Sequence, residues 1–243
     1  MNFNVKFKEE APSFNVKFGW NNGEFEAGKA EGAKEEYDRF WDVYQDNGNR
    51  TNYESAFCKA GWNNETFKPK YSMTVGNPPG NYNMFGHSQI TGSLTEILGN
   101  LGITLIFNGG YSSSTFNSSL FSEINIKDSV GFTTYSYTFN GCENLEELSL
   151  APFTVNTVFA NTFNYCYALK NLNISGTIGG NGFNVGWSTK LSKASIVSII
   201  NALSDTAEGQ TITFSQTAKQ AAFTDSEWAA LIGTKPNWTI ALA

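Results

Sequence analysis

One pattern of hydrophobic and polar positions occurs twice in the middle of the chain. The stretch TFNGCENLEELSL, which begins at Thr138, is followed 24 residues later by TFNYCYALKNLNI. Apolar residues keep identical offsets in both copies, while the polar residues between them change. Such self-similarity at a fixed period is typical of repeat proteins, in which each unit supplies one layer. The equivalent pairs are Phe139 and Phe163, Cys142 and Cys166, Leu145 and Leu169, Leu148 and Leu172, and Leu150 and Ile174.

Weaker copies of this unit extend the pattern in both directions. A Phe followed three residues later by Ser or Cys occurs at Phe85, Phe116, Phe139 and Phe163, and Phe183 begins a truncated echo. The sequence therefore predicts about four repeats, of which the two that begin at Phe139 and Phe163 are the best formed.

Each repeat is predicted to contain a short strand. Apolar and polar residues alternate at 124–126, 148–150 and 172–174, as they do in a half-buried strand. An insertion separates the first copy from the second. There we expect a short helix from about Leu94 and a strand at 103–107, which is a candidate member of the same ladder.

The polar residues of the repeat strands are predicted to form columns on an exposed sheet face, because alternate residues of a strand point to opposite faces. Extended repeat faces commonly bind partners. A solvated surface is the alternative, since these columns contain neither aromatic residues nor Arg. The candidate interaction face consists of Glu123, Asn125, Lys127, Glu147, Ser149, Asn171 and Asn173, with Ala151 and Ser175 completing the column of Lys127.

Aromatic-rich turns are a second candidate contact zone. They contain Phe153, Phe159, Tyr165 and Tyr167. The two Phe residues are predicted to belong to the core, because large apolar side chains are mostly buried. The tyrosines are the exposed part of this alternative.

The sequence before the repeats predicts a strand pair, a linker and helices. FNVKF occurs at 3–7 and at 14–18 and predicts a hairpin. An isolated hairpin is marginal in water, so this one is expected to pair with its own domain, another subunit or a larger assembly. Residues 21–33 have the composition of a linker. Helices are predicted at 34–45 and 53–59.

The periodicity changes after the repeats. Apolar residues on one helical face predict a helix over 192–203, and strands are expected at 211–214 and 238–242. Thr224 is a predicted N-cap, because its hydroxyl can accept an otherwise unpaired backbone N–H. This mixture of helix and strand suits a terminal unit that covers the last repeat.

Four segments follow from these patterns. They are an N-terminal β segment and linker at 1–33, a helical leading region at 34–83, the repeats at 84–191, and a C-terminal capping unit at 192–243. A short strand at Met73–Val75 is expected near the end of the second segment.

Composition and charge limit the function classes. The 243 residues are 40% hydrophobic, 15% aromatic and 16% charged, which predicts a folded protein. The net charge of −6 argues against nucleic-acid and anionic-membrane partners. No window approaches the roughly 18 apolar residues of a membrane-spanning helix. The N-terminus, MNFNVKFKEE, lacks the apolar region of a secretory signal.

The nucleophilic and metal-binding residue types form no catalytic pattern. The three cysteines lack CxxC spacing. Cys142 and Cys166 are predicted to pack in the core, with a disulfide between layers as the alternative. The only histidine, His87, would need a cysteine from elsewhere to form a catalytic pair. We therefore expect no enzymatic activity, no cofactor and no metal.

The pattern F-x-x-C-x-x-L-x-x-L-x-L that begins at Phe139 resembles the BspA-like leucine-rich repeats of bacterial surface proteins. The C-terminal runs LSKASIVSIINALSD and EWAALIGTKPNWTIAL are similar to the closing segment of prophage-encoded minor structural proteins. The FNVKF, FWDVYQDNGNR and FKPKY segments are similar to the same group. The resemblance implies an α+β fold, namely a short, β-rich, right-handed solenoid with a helical N-terminal region and an α/β cap.

The resemblance also implies a role in interaction and supplies no catalytic residues. The leading hypothesis is a phage particle component that self-associates or attaches through residues 1–20. The alternative is a bacterial cell-surface adhesin that binds a host protein or glycan. The lack of a signal peptide and the small number of repeats favour the first, so the expected location is a phage particle or an extracellular surface.

Overall fold

The computed structural model describes residues 53, 56–58, 62–76, 82–111, 114–180 and 182–243. These residues form a mixed α/β fold with four helices and three parallel sheets. The hairpin, the linker and the first helix predicted from the sequence lie outside the described residues. The elements are, in order, β1 (Met73–Val75), β2 (Thr91–Ser93), α1 (Leu94–Asn100), β3 (Leu105–Tyr111), β4 (Leu120–Asn125), β5 (Val130–Thr134), β6 (Glu147–Ser149), β7 (Asn171–Asn173), β8 (Asn184–Val185), α2 (Lys193–Asn201), β9 (Gln210–Phe214), α3 (Gln216–Ala222), α4 (Asp225–Ile232) and β10 (Trp238–Leu242).

The repeat strands pair in parallel in the order β2-β4-β6-β7. Ile124 lies opposite Leu148, and Leu148 lies opposite Leu172, so equivalent residues of successive units meet. All three side chains are buried. A slip of one residue would turn them to solvent at a cost of roughly 1.5–3 kcal/mol each, which fixes the register.

A second set of parallel pairings connects the same region of the chain. Strands β1, β3 and β5 form a three-stranded sheet. Isolated bridges pair Thr134 with Val158, Phe153 with Gly176, and Ile178 with Leu203. Successive units are therefore joined both along the four-stranded sheet and along this second ladder.

A column of phenylalanine rings runs through the core of the repeats. The rings of Phe85 and Phe116 are nearly parallel with centroids 5.3 Å apart, and Phe116 stacks in the same way on Phe139 at 5.6 Å. Phe163 continues the stack at 6.3 Å from Phe139. Phe183 follows at 5.2 Å with its ring tilted, so the truncated echo in the sequence supplies the next ring of the column.

The turn around each of the four repeat phenylalanines has the same backbone shape. The residues two positions before and two positions after the Phe have positive φ in every case. Positive φ is uncommon for residues other than Gly, so its recurrence indicates a copied conformation. At Gly141 a Cβ would also lie 2.6 Å from Ser118 Oγ. The residues before the Phe are Asn83, Ser114, Tyr137 and Asn161, and those after it are His87, Ser118, Gly141 and Tyr165.

Small side chains form a second buried column. Cys142 Sγ donates to the Phe116 carbonyl at 3.0 Å, and Cys166 Sγ donates to the Phe139 carbonyl at 3.1 Å. Both thiols are free, so the predicted packing role is confirmed and the alternative disulfide is not formed. Burial raises the pKa of the Cys142 thiol to about 12. The column consists of Ser88, Ser119, Cys142, Cys166 and Ser188, all fully buried.

Side chains from outside the repeats cover both edges of the four-stranded sheet. At the first edge, the Asn64 amide donates to the Thr91 carbonyl at 3.0 Å and accepts from the Thr91 N–H at 2.8 Å. At the last edge, the Leu172 N–H donates to Ser195 Oγ of α2 at 2.9 Å. These contacts satisfy backbone groups that would otherwise offer an open edge to another chain.

Strands β9 and β10 of the C-terminal segment form a parallel sheet with β8, in the order β10-β9-β8. Ser192 caps α2, and Thr224 caps α4 in a reciprocal capping box with Glu227. Trp228 of α4 packs edge-on against Phe214 of β9, with ring centroids 5.8 Å apart. The predicted N-cap at Thr224 and the predicted last strand are confirmed.

Several predicted elements need correction. The helix predicted at 53–59 is wrong at the described positions 53 and 56–58, because the Phe57 N–H donates to the distant Met84 carbonyl instead of continuing a helical ladder. The strand predicted at 103–107 begins at Leu105, and it pairs with β1 and β5, not with the repeat sheet. Helix α3 and strand β5 had no predicted counterpart.

Candidate interaction surface

The structure brings six of the seven sequence-predicted face residues together in two columns. Successive strands pair without a register shift between β4, β6 and β7. Equivalent polar residues therefore lie side by side on the sheet. The first column is Glu123, Glu147 and Asn171, and the second is Asn125, Ser149 and Asn173.

Glu123 serves the fold through hydrogen bonds to the start of α1. Its carboxylate accepts from Ser93 Oγ at 2.6 Å and from Thr95 Oγ1 at 2.9 Å. The Thr95 backbone N–H donates to the same carboxylate at 3.2 Å. An acidic group at a helix N-terminus is stabilising because the unpaired N–H groups there carry partial positive charge. Most of the acceptor capacity of Glu123 is thus occupied within the protein.

Other column residues also bond to their neighbours. The Asn173 amide donates to Ser149 Oγ at 3.1 Å across the β6–β7 pair. Ser192 Oγ, at the start of α2, donates to Asn171 Oδ1 at 3.2 Å. Glu147, which lies between Glu123 and Asn171 in the first column, is exposed. The columns are therefore a polar face whose residues are partly hydrogen-bonded to one another and to the start of α2.

Lys127 and Ala151, both assigned to the outermost column, occupy different environments. Lys127 is exposed beyond the end of β4 and forms a 3.4 Å ion pair with Asp128. Ala151 is buried, so its predicted exposed position is wrong. The physical reason is contact with the core, because the buried Tyr135 hydroxyl donates to the Ala151 carbonyl at 3.1 Å.

One ion pair lies just before the first column. Lys170 Nζ forms an ion pair of 2.7 Å with Glu146, one repeat earlier. The hydrogen bond from Lys170 and its positive charge lower the pKa of the Glu146 carboxyl. Both side chains are about half exposed, so the pair adds little stability. It marks the sheet face as charged and hydrated.

A cluster of exposed aromatic rings lies in the turns that precede β7 and α2. The Tyr165 and Trp187 ring centroids are 4.7 Å apart, and Tyr167 lies 6.1 Å from Tyr165 and 5.9 Å from Trp187. Tyr165 is 42% exposed, Trp187 is 41% exposed and Tyr167 is 38% exposed. We call this set the aromatic cluster. By contrast, Phe153 and Phe159 are buried, as predicted.

A small cavity adjoins the aromatic cluster. It has a volume of about 230 Å³ and is lined by Asn184, Gly186, Trp187 and Ala243. The Asn184 side chain accepts from the Gly186 N–H at 2.8 Å, which fixes the turn before Trp187. One face of Trp187 thus belongs to a concave site.

The repeat explains why Tyr165 and Trp187 meet, although the sequence prediction did not include Trp187. Each directly precedes a residue of the small buried column, Cys166 or Ser188. They therefore hold the same position in adjacent layers. The spacing of three between Ser188 and Leu191, equal to that between Cys166 and Leu169, was the signal that would have found it.

The chemistry-bearing residues singled out in the sequence remain apart. His87 is exposed in the first repeat turn, whereas Cys142 and Cys166 are buried. Within the described part of the chain, no three His, Cys, Asp or Glu side chains are grouped so that they could hold a metal ion. In the same residues, no helix is both long and apolar enough to cross a membrane.

Comparison of the chain with protein-family models, curated proteins and solved structures finds no match in any of the three.

Proposed function

We propose that this chain is a non-enzymatic interaction protein built on a short BspA-like leucine-rich-repeat solenoid. The observation that carries the proposal is the pairing of β4, β6 and β7 at a constant spacing of 24 residues, without a register shift. The stacked phenylalanine rings and the recurring positive φ in each turn support the same repeat. In this account residues 84–191 are the solenoid and residues 192–243 are its cap.

The distribution of side chains supports a role in binding. Repeat proteins use their extended faces for partners, because every layer adds one more copy of each surface position. Here one set of positions forms the polar columns and another forms the aromatic cluster. The repeats are thus the support, and the residues that differ between layers form the contact surface.

The biological setting we propose is a phage particle, with the chain attached through residues 1–20 and the repeats displayed outward. This part of the proposal rests on the resemblance of the terminal segments to prophage-encoded minor structural proteins. Duplicated FNVKF segments are suited to pairing with strands of a larger assembly.

The test is to purify particles from the native host after induction and to detect the protein by quantitative mass spectrometry. We expect the full chain to sediment with particles and a variant lacking residues 1–20 to remain in the supernatant. A variant lacking residues 21–33 is the matched control and should stay particle-bound. Recovery of the full chain only in the soluble fraction of unlysed cells would contradict the proposal.

The second candidate function is a cell-surface adhesin, and the aromatic cluster is the observation that favours it. Exposed Tyr and Trp rings are typical of recognition sites. Protease treatment of intact cells distinguishes the two settings, since an adhesin is removed from the cell surface while a particle component is protected until lysis.

A further inference from the structure

The aromatic cluster is not needed to complete the repeat. In the layer before Tyr165 and Tyr167, the equivalent positions are Gly141 and Glu143, and in the layer before that, Ser118 holds the position of Tyr165. The repeat therefore folds with a small or charged residue at these positions. Three rings that remain about two-fifths exposed cost solvation free energy without adding to the core.

The shape of the site suits an occupant of the size of a single ring. The three rings are inclined to one another by 42°, 61° and 78°, so they do not form a flat plate, and the concave part of the site is the cavity beside Trp187. The adjoining cavity of about 230 Å³ is smaller than the roughly 300–1,000 Å³ typical of drug-sized ligands.

The area of the cluster argues against a protein as the main occupant. At the observed exposure, the three side chains offer roughly 250 Å² of accessible surface, given about 150–250 Å² for each whole side chain. A stable protein interface needs about 800 Å² from each partner. The exposed columns of the four-stranded sheet are polar, so they do not supply the missing apolar area.

The polar groups of the site match the outline of a sugar. A pyranose ring has one face of C–H groups and a rim of hydroxyls. Aromatic faces carry partial negative charge and attract polarised C–H groups. The Tyr hydroxyls, the Trp187 indole N–H and the Asn184 side chain can bond to a hydroxyl rim. None of the residues of the cluster or of the cavity lining has a charged side chain.

We propose that Tyr165, Tyr167 and Trp187, together with the cavity beside Asn184, bind one ring of an uncharged glycan by stacking and hydrogen bonding. The proposal rests on the proposed function, because it names the ligand class of an interaction protein. It predicts specificity for hexoses or N-acetylhexosamines over acidic sugars, since a carboxylate would find no cation among these residues.

The experiment is isothermal titration calorimetry of the full chain with three uncharged hexasaccharides, made of glucose, mannose and N-acetylglucosamine. We expect binding of at least one with a Kd between about 10⁻⁵ and 10⁻³ M. Trp187→Ala should weaken it by about tenfold or more, and Trp187→Phe should restore most of the affinity. Tyr137→Ala, which removes an exposed ring outside the cluster, is the matched control and should change the Kd less than about twofold.

Two results would overturn the glycan proposal. They are the absence of binding of all three hexasaccharides at concentrations up to about 10 mM, and equal affinity of Trp187→Ala and the wild type. Thermal unfolding of each variant tests whether a loss of binding is caused by misfolding. Tyr167→Ala is a second variant that removes a different ring of the cluster. Particle association measured on the same variants separates the two proposals. Particle-bound protein without sugar affinity means that only the glycan site is wrong.

Discussion

Two groups of aromatic residues in this protein lie only a few residues apart in the chain and have opposite roles. The phenylalanine column is fully buried and joins successive units through stacked rings. The aromatic cluster lies in the same turns, yet its rings face solvent. The difference follows from position in the repeat and from chemistry, because Phe has no polar tip, whereas Tyr and Trp carry a donor that solvent or a ligand can satisfy.

The largest effect expected from this contrast is on stability. Phe139→Ala removes the ring between Phe116 and Phe163 and should lower the free energy of unfolding by about 3–5 kcal/mol, because a cavity replaces a fully buried side chain. Tyr167→Ala is the matched change in the exposed cluster, and it should cost less than about 1 kcal/mol. Urea unfolding of both variants measures the difference. Equal losses would show that the two groups are not distinct.

Thiol reactivity sharpens the same contrast between buried and exposed repeat positions. Burial raises the pKa of both Cys142 and Cys166, so neither forms the reactive thiolate readily near pH 8. Cys58 is partly exposed. With a thiol-reactive dye, we expect Cys58 to react first in the native protein and all three thiols to react rapidly in denaturant. Labelling of all three at one rate without denaturant would contradict the buried column.

Removal of the helix cap at Thr224, outside the repeats, should have a moderate effect on stability. Thr224→Ala removes the hydroxyl that accepts from the Glu227 N–H and should cost about 1 kcal/mol of unfolding free energy. Ser226→Ala, in the same turn, is the control and should cost less. Chemical denaturation of the two variants distinguishes a capping role from a general loss of side chains in α4.

The smallest effect is expected from pH at the same helix. Hydrogen bonds from Lys193 and then from Thr224 lower the pKa of the Glu227 carboxyl from 4.5 to about 2. Because the folded-state pKa is depressed, the contribution of Glu227 is full above pH 4.5 and is lost as the pH falls toward about 2. The midpoint temperature of thermal unfolding should therefore fall more steeply across this pH window for the wild type than for Glu227→Gln. If the midpoint temperatures of the two proteins fell in parallel with pH, the ionised Glu227 carboxylate and its hydrogen bonds would not stabilise the fold.

The sequence predicts local features better than long-range contacts. Phe139, Cys142 and Leu148 recur at a fixed spacing, so their burial and pairing could be inferred from periodicity. The partner of Phe57 could not, because its N–H bonds to Met84, far along the chain, and this replaces the predicted helix with a turn. Strand β3 likewise joined a sheet that no local pattern specifies.

The candidate surface was predictable to a similar degree. The columns of Glu123 and Asn125 follow from strand alternation and the repeat. The hydrogen bonds from Ser93 and Thr95 of the insertion to Glu123 depend on how the insertion folds back onto β4, which a sequence pattern does not encode. Trp187 was missed because its repeat lacks the usual spacing between the Phe and the small residue, and the matching spacing from Ser188 to Leu191 was not used to align it with Tyr165.

The most direct test of the repeat architecture is the removal of one whole unit. Deleting residues 142–165 joins Gly141 to Cys166 and removes one period of 24 residues. If the units are equivalent layers, the shortened chain keeps its register and should still unfold cooperatively, with lower stability but unchanged circular dichroism per residue. Deleting residues 146–165 removes 20 residues and breaks the register, so that variant should fail to fold. Equal behaviour of the two deletions would contradict the account.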